Sequence, residues 1–345
     1  WKHISRNSDT GLSAGRCQTP ATRLLYDREK EIKENVGKKV YDTIALFKIN
    51  DKISLEYELN CHHKNEEVME EFLEKSVNND YKLYKMPNVV GILKNPPKPF
   101  TTSLLQQKSS NELNYSPKQT MRLAQTLYEN GWITYMRTDC GKYSKEFIKS
   151  AMKYVKDKFG KGFISKKIDN LTITKIKTKK NNAQEAHEAI RPTDVNRCPH
   201  SCKEEGKITS KEIRLYKMIW NNTMESLMTE AKYNKLTSEI TAPNNKKYKR
   251  SEENVIFPGW KVVRGYDKAN SNYELLMGEN DLKKEYTYEE INSKVKLKEL
   301  KCHYTEAKLV QILEDKGIGR PSTFSSLIDK IQSRKYVLKQ NVKGK

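Results

Sequence analysis

The order of apolar and polar positions divides the chain into alternating helix-like and strand-like blocks. After a Gly/Ser/Thr stretch, TGLSAG, a helical run extends from Thr19 to Glu34, and Pro20 fits its first turn. Residues 40–60, VYDTIALFKINDKISLEYEL, alternate apolar and polar around Asn50-Asp51, which predicts a β-hairpin. A charged helix over about 65–76 and a strand in LYKMPNVVGILKN come next. The stiff NPPKPF that follows reads as a domain boundary.

Beyond that connector the pattern is helical. Ser116-Pro117 has the form of an N-cap followed by proline at the first helical position. Met121, Ala124, Leu127 and Tyr128 recur at helical spacing, and Gly131 is placed to stop the helix. WITYM, directly after, is a short β-prone run. Ser144 opens another amphipathic helix (Phe147, Ile148, Ala151, Tyr154, Val155), closed by Gly160. Lys166 to Asn182 is rich in Lys and Asn and reads as solvated surface. A long helix is predicted over 210–231 and a β-rich stretch with polar insertions over 233–292. From Thr305 the pattern is helix, tight GIGRP turn, then a second helical run, STFSSLIDKIQSRKYV.

The length, 345 residues, suits about two domains, with room for a third. Lys and Arg number 65 against 44 Asp and Glu, a net charge of +21, which points to a polyanionic partner. Charge alone does not choose between DNA, RNA and an anionic membrane. No stretch approaches the length of a membrane-spanning apolar helix, and the start, WKHISRNSDTG, has no signal-peptide core. That start also lacks Met and lies close to a motif, so the chain reads as a fragment or a processed piece. The six cysteines (17, 61, 140, 198, 202 and 302) are scattered, as reduced intracellular thiols are, rather than arranged as a disulfide framework.

Three clusters could carry chemistry. In Ile133–Asp139, a strand that persists would put Tyr135, Arg137 and Asp139 on one face. A phenol beside a guanidinium suits attack on a phosphodiester, with Arg stabilising the charge that builds on phosphorus oxygens. Only about one free phenol in a thousand is ionised at neutral pH, so nearby cations must activate it. The bland alternative is a half-buried tyrosine beside a surface Arg–Asp pair. In the second cluster, a helix over Ala183–Pro192 would place Gln184, His187, Glu188 and Arg191 on one polar face able to contact phosphate, or simply solvent. The third comprises two Gly-rich turns, Thr10–Arg16 and Gly317–Thr323, each with Arg and hydroxyls beside a helix start. Neither is a P-loop, so no ATP site is expected, and plain helix caps would look the same. Cys198-Pro-His200-Ser-Cys202 and Cys61-His62-His63 lack a second pair at zinc-finger spacing, so no metal ligands are assigned.

Taken in order, SAGRCQTPATRL, PFTTSLLQQKSS, MRLAQTLYENGWITYMRTD, AQEAHEAIRPTDV and TEAKLVQILEDKGIGRPSTFSSLIDKIQSRKYV resemble the type IA DNA topoisomerases over about residues 11–338. YMRTD, with Met136, is closer to the topoisomerase I branch than to the topoisomerase III branch, where Pro is usual. The resemblance implies a multidomain α+β toroid. Its helical base domain, binding single-stranded DNA, would span 1–35 and 265–345. A β-rich arch would span 36–95 and 225–264, and an inserted nucleophile domain 96–224.

The family's roles would fall on matching residues. Tyr135 would be the nucleophile that takes the 5′-phosphate of the broken strand, Arg137 would stabilise the scissile phosphate, and His187 would assist by hydrogen bonding. Arg191 would be a DNA-backbone or structural contact. Arg16, Gln18, Arg320, Ser322 and Thr323 would line the single-strand path, with Thr138, Asp139 and Glu188 counted among the DNA contacts. Resealing would need no ATP, because the phosphotyrosine bond conserves the phosphodiester energy. Mg²⁺ is expected in the intact enzyme, on an N-terminal metal-binding (Toprim) domain of the same natural chain that normally precedes SAGR. The expected partner is single-stranded or negatively supercoiled DNA, with no membrane, for a monomer acting inside the cell. Cys140 stands where Ser is usual after RTD. Two other readings are carried: a tyrosine recombinase or type IB strand transferase, which would leave a 3′-phosphotyrosine, and a non-catalytic single-strand-binding remnant.

Overall fold

Local signals start most of the helices. Ser116 accepts a hydrogen bond from the Gln119 N–H with Pro117 in the first turn, and Thr209 and Glu212 form a reciprocal capping box. The computed structural model describes residues 14–173, 188–199, 208–267 and 270–340. In chain order the elements are α1 (Gln18–Glu34), β1 (Lys38–Asn50), β2 (Ile53–His63), α2 (Glu66–Val77), β3 (Leu83–Lys94), α3 (Thr102–Leu113), α4 (Pro117–Glu129) and α5 (Lys145–Phe159). They continue with α6 (Ser210–Ser226), β4 (Ala231–Ala242), β5 (Lys246–Phe257), α7 (Ser271–Met277), β6 (Tyr288–Lys298), α8 (Glu306–Asp315) and α9 (Phe324–Ser333).

These elements fall into two compact units. One comprises 32–95 and 230–301 and is built on an antiparallel sheet of order β3-β4-β5-β2-β1-β6. The expected hairpin is β1–β2, and the Asn50 side chain accepts from the Lys52 and Ile53 N–H groups at its turn. The β4–β5 hairpin turns through Asn244 and Asn245, both at positive φ, where Asn is tolerated. Alternate residues of the strands fill one face. Phe47 lies at 5.7, 5.1 and 5.4 Å from the rings of Tyr57, Tyr81 and Tyr248, and α2 and α7 add Phe72, Tyr273 and Leu276 to this core. Burial pushes the Tyr57 and Tyr81 phenols up to about 12, so both stay neutral, donating to Ser238 Oγ and Ser76 O.

The other unit comprises 1–31, 96–229 and 302–345 and is mainly helical. Here α3 packs against α8, α4 and α6, and α4 also against α9. Ala21 of α1 joins Leu309, Val310, Leu313, Phe324, Leu327, Ile328 and Ile331 in one core, which Cys17 and Ile318 flank.

Three sequence expectations change. Residues 265–301 pack with the sheet unit and not with the helices, because β6 pairs along nearly the whole of β1. Most β6 side chains are exposed, so its polar sequence hides a strand whose backbone does the pairing. The helix expected over 210–231 ends at Ser226. WITYM is not a strand: among the described residues its one ladder contact is an isolated bridge between Ile133 and Pro192. Among the described residues, no helix is long and apolar enough to cross a membrane, and Cys17, Cys61, Cys140, Cys198 and Cys302 are free thiols.

Candidate active site

The segment that carries Tyr135 is launched by a helix stop. At the end of α4, Gly131 takes φ +70. Its N–H donates to Tyr128 O at 2.9 Å, and the Trp132 N–H donates to Leu127 O at 2.8 Å. This is a Schellman turn with glycine in the left-handed position. It aims Trp132 into the protein, where the indole is buried edge-on against Tyr216 at 5.0 Å and under the Arg197 guanidinium.

From there the chain passes through bends at Thr134 and Met136, with no ladder partner past the Ile133–Pro192 bridge among the described residues, yet exposure still alternates. Tyr135, Arg137 and Asp139 are exposed, and Met136 and Thr138 are buried. The shared face expected of these three residues is therefore present although the strand is not. Side-chain hydroxyls take the place of a neighbouring strand. The Thr134 hydroxyl donates to Ala189 O at 3.0 Å and accepts from the Arg191 N–H at 3.1 Å, while the Thr134 N–H donates to Arg191 O at 2.9 Å. Two residues on, the Thr102 hydroxyl from α3 donates to Met136 O at 2.7 Å and accepts from the Thr138 N–H at 2.8 Å. Tyr135 sits between these clamps, 38% exposed, with its ring 5.4 Å from that of Tyr128 in an edge contact.

The two arginines of the site differ in what holds them. Arg137 is exposed, and among the described residues its guanidinium has no ion-pair or hydrogen-bond partner. Arg191 is committed: its Nε and Nη2 donate to the two Glu188 carboxylate oxygens at 2.9 and 2.7 Å, and Nη1 donates to Pro192 O. It also lies 4.0 Å above the Phe147 ring. Glu188 in turn accepts from the Ser144 N–H at the start of α5. The helix expected over 183–192 is not found over 188–192. There the Ala189 N–H donates to Lys142 O and the Ile190 N–H to Phe100 O, so the segment is an extended brace between Phe100 and Ile133. Gln184 and His187 lie outside the described residues.

A second Schellman turn ends α8. The Gly317 N–H (φ +64) donates to Glu314 O and the Ile318 N–H to Leu313 O. The turn then closes on itself: the Thr323 hydroxyl accepts from the Arg320 N–H at 2.9 Å and donates to Arg320 O at 3.0 Å. Arg320 and Ser322 are exposed. At the start of α1, Arg16 is exposed and Gln18 is buried, beside Cys17 on the core that α8 and α9 share. Of the loop expected over Thr10–Arg16, residues 10–13 lie outside the description.

The N-terminal turn of α3 ties the first of these segments to the helix that carries the second. Thr102 holds Met136 and Thr138, and the next residue, Ser103, donates to Glu314 of α8 at 2.6 Å, three residues before Gly317. Sequence reasoning did not single out Thr102, Ser103 or Thr134. The one signal available was PFTTS itself, a run of hydroxyls at a helix start, which reads as capping; Thr101 does cap α3.

No group of three or more His, Cys, Asp or Glu among the described residues is placed to hold a metal ion. These residues do not fit a Mg²⁺ site. His62 faces Asp42 and His63 is buried, while His200 and Cys202 lie outside the described residues.

Comparison with known proteins gives one answer. Residues 1–344 match the family described as DNA topoisomerase. The chain is 35% identical over 349 residues to DNA topoisomerase 1 of Buchnera aphidicola subsp. Acyrthosiphon pisum, covering 99% of this chain and 38% of that protein. It is 33% identical over 353 residues to DNA topoisomerase 1 of Escherichia coli, with the same two coverages. Full-length topoisomerase I from Thermotoga maritima superposes with a TM-score of 0.76 at 28% identity, over 96% of this chain and 53% of that one. The chain thus spans 38% of the length of these curated relatives.

Proposed function

Since the chain belongs to the type IA DNA topoisomerase family, we propose that it is the DNA-cleaving and resealing core of such an enzyme, with Tyr135 as its nucleophile. The observation that carries this reading is the outward pairing of Tyr135 and Arg137 on a segment whose intervening residues are buried and clamped. The Tyr135 oxygen would form a bond to phosphorus while the bond to the 3′ oxygen breaks. The phenol proton leaves, and a proton reaches the departing 3′ oxygen. The 5′-phosphotyrosine keeps the number of phosphoester bonds constant, so the reverse attack reseals the strand without ATP. Arg137, uncommitted among the described residues, suits the role of gripping phosphate oxygens in the transition state.

The remaining roles follow the same reading. Arg191 and Glu188 serve the segment's architecture, since each is engaged by the other. Arg16, Arg320 and Ser322 are exposed and suit a single-strand path, while the Thr323 hydroxyl shapes the turn that presents them. Asp139 is exposed and suits a DNA contact, whereas Gln18 and Thr138 are buried and serve the fold rather than the path, and His187 would donate a hydrogen bond to the phosphate. The sheet unit is the arch, now extended to residue 301, and the helical unit holds the base and nucleophile domains. The partner is single-stranded or negatively supercoiled DNA inside the cell. Mg²⁺ is held by residues other than those described, on a metal-binding domain, and these 345 residues alone bind single strands but relax supercoils poorly.

The test is a single-stranded oligonucleotide labelled at either end, with Mg²⁺, incubated with the chain plus a relative's metal-binding domain. A denaturation-resistant adduct on the 5′-phosphate side, lost in Tyr135→Phe, is expected. An adduct on the 3′ side would move the chain to the recombinase or type IB chemistry. Salt-sensitive binding with no adduct would leave a single-strand-binding remnant.

A further inference from the structure

We propose that Thr102 is the positioning residue that decides which side chains of the Tyr135–Asp139 segment face outward; the inference rests on Tyr135 being the nucleophile. Exposure alternates residue by residue from Tyr135 to Asp139, so a slip by one residue would turn Tyr135 and Arg137 inward and Met136 and Thr138 outward. A strand in a sheet is kept from slipping by its ladder. Among the described residues this segment has no ladder; the nearest bridge, Ile133–Pro192, lies just before it.

Thr102 supplies the missing constraint. It is fully buried in the first turn of α3, where helical N–H groups lack partners within the helix. Its N–H donates to Thr138 O at 2.9 Å, and its hydroxyl donates to Met136 O at 2.7 Å and accepts from the Thr138 N–H at 2.8 Å. These bonds grip the backbone on both sides of Arg137. With Thr134 held by Ala189 and Arg191, the chain is fixed at 134, 136 and 138, every second residue, and Tyr135 and Arg137 project from the positions between. A β-branched side chain is restricted at χ1, so the hydroxyl is aimed at little entropic cost. Buried as it is, Thr102 acts on the reaction only through the segment it holds.

The experiment compares Thr102→Val, which keeps the shape and removes the hydroxyl, with Thr102→Ser, which keeps the hydroxyl. Each full chain, supplemented with a relative's metal-binding domain, is assayed for the rate of covalent adduct formation and for single-strand affinity. Misplacing reacting groups by about 1 Å can cost on the order of 100-fold, so Thr102→Val should slow adduct formation about tenfold or more. Its affinity for the oligonucleotide should stay within about twofold, because exposed cations set that term. Thr102→Ser should restore most of the rate. A Val variant with the unsubstituted rate, or a Ser variant as slow as Val, would overturn the inference. Tyr135→Phe runs in parallel: if it still forms adduct, the reading of the site fails independently of Thr102. Should the unsubstituted chain form no adduct, amide exchange decides. The Thr138 N–H must exchange faster in Thr102→Val and at the native rate in Thr102→Ser, and unchanged exchange in Val overturns the inference.

Discussion

Two segments leave their helices by the same turn and are then held in opposite ways. After α4, Gly131 and Trp132 make a Schellman turn, and Gly317 and Ile318 make another after α8. The first segment is then fastened by residues between 34 and 57 positions away, through Thr102, Ala189 and Arg191. The second is closed by Thr323, three residues from the Arg320 it holds. A turn that closes on itself presents side chains but fixes them only to its own helix ends. A segment clamped from two remote elements has its orientation set by the unit as a whole. The difference suits the proposed roles: a nucleophile needs placement within fractions of an ångström, and a contact to a flexible single strand does not.

The largest effects should separate the two arginines of the clamped segment. Arg137→Ala should lower adduct formation by about 100- to 1,000-fold, the scale of losing a donor aimed at developing charge. Its thermal stability should be nearly unchanged, since the side chain is exposed. Arg191→Ala should do the reverse. It leaves the partly buried Glu188 carboxylate without its bidentate partner and should cost about 2–3 kcal/mol, read as a fall in Tm of several degrees. An Arg191→Ala variant of native stability that had lost only cleavage would erase the distinction.

Removing single hydroxyls tests the two modes of fastening directly. Thr134→Val strips a donor and an acceptor from the brace at Ala189 and Arg191 and should cost about 1–3 kcal/mol in urea unfolding. Thr323→Val removes a cap-like bond and should cost only about 1 kcal/mol. Equal costs would mean that remote and local fastening are energetically alike here. Gly319→Ala should cost about 1–2 kcal/mol: φ is +90, and a Cβ would lie 3.0 Å from Thr323 Oγ1. It should weaken single-strand affinity while leaving the chemical step of bound DNA intact, as single-turnover kinetics would show.

The smallest effect belongs to the sheet unit and should leave both segments alone. His63 is buried against Phe72, and neither ring nitrogen has a hydrogen-bond partner among the described residues. Burial, aided by the nearby Lys246 and His62, holds its pKa below the ordinary value of 6.5. The unfolded chain therefore takes up a proton first, so stability is full above pH 6.5 and falls as the pH drops toward the folded-state pKa. Urea unfolding across that window should show the loss in the native chain and a flatter profile in His63→Leu. Identical profiles would remove His63 from the account.

What the sequence made legible is what neighbours in the chain decide. Ser116-Pro117 starts α4, Gly131 ends it, and Asn50 turns the β1–β2 hairpin, each through residues within a few positions. Even the outward set of Tyr135, Arg137 and Asp139 was visible, because period-two alternation survives without a sheet. The brace at 188–192 was not. Its Ala and Ile residues suit a helix locally, and only the remote carbonyls of Lys142 and Phe100 draw its N–H groups elsewhere. Thr102 escaped for a related reason: a hydroxyl at a helix start reads as a cap, and its partners lie 34 and 36 residues on. β6 was hidden because its side chains are mostly exposed, so its pairing leaves little apolar trace.

Every role proposed for the site turns on Tyr135 forming a covalent bond to the 5′ end of a broken strand. The most direct measurement is mass spectrometry of the protease-digested adduct, made from the chain, a relative's metal-binding domain, Mg²⁺ and a single-stranded oligonucleotide. A nucleotide joined through its 5′-phosphate to the peptide containing Tyr135 is expected. A nucleotide joined through its 3′-phosphate, or carried by a peptide without Tyr135, would contradict it.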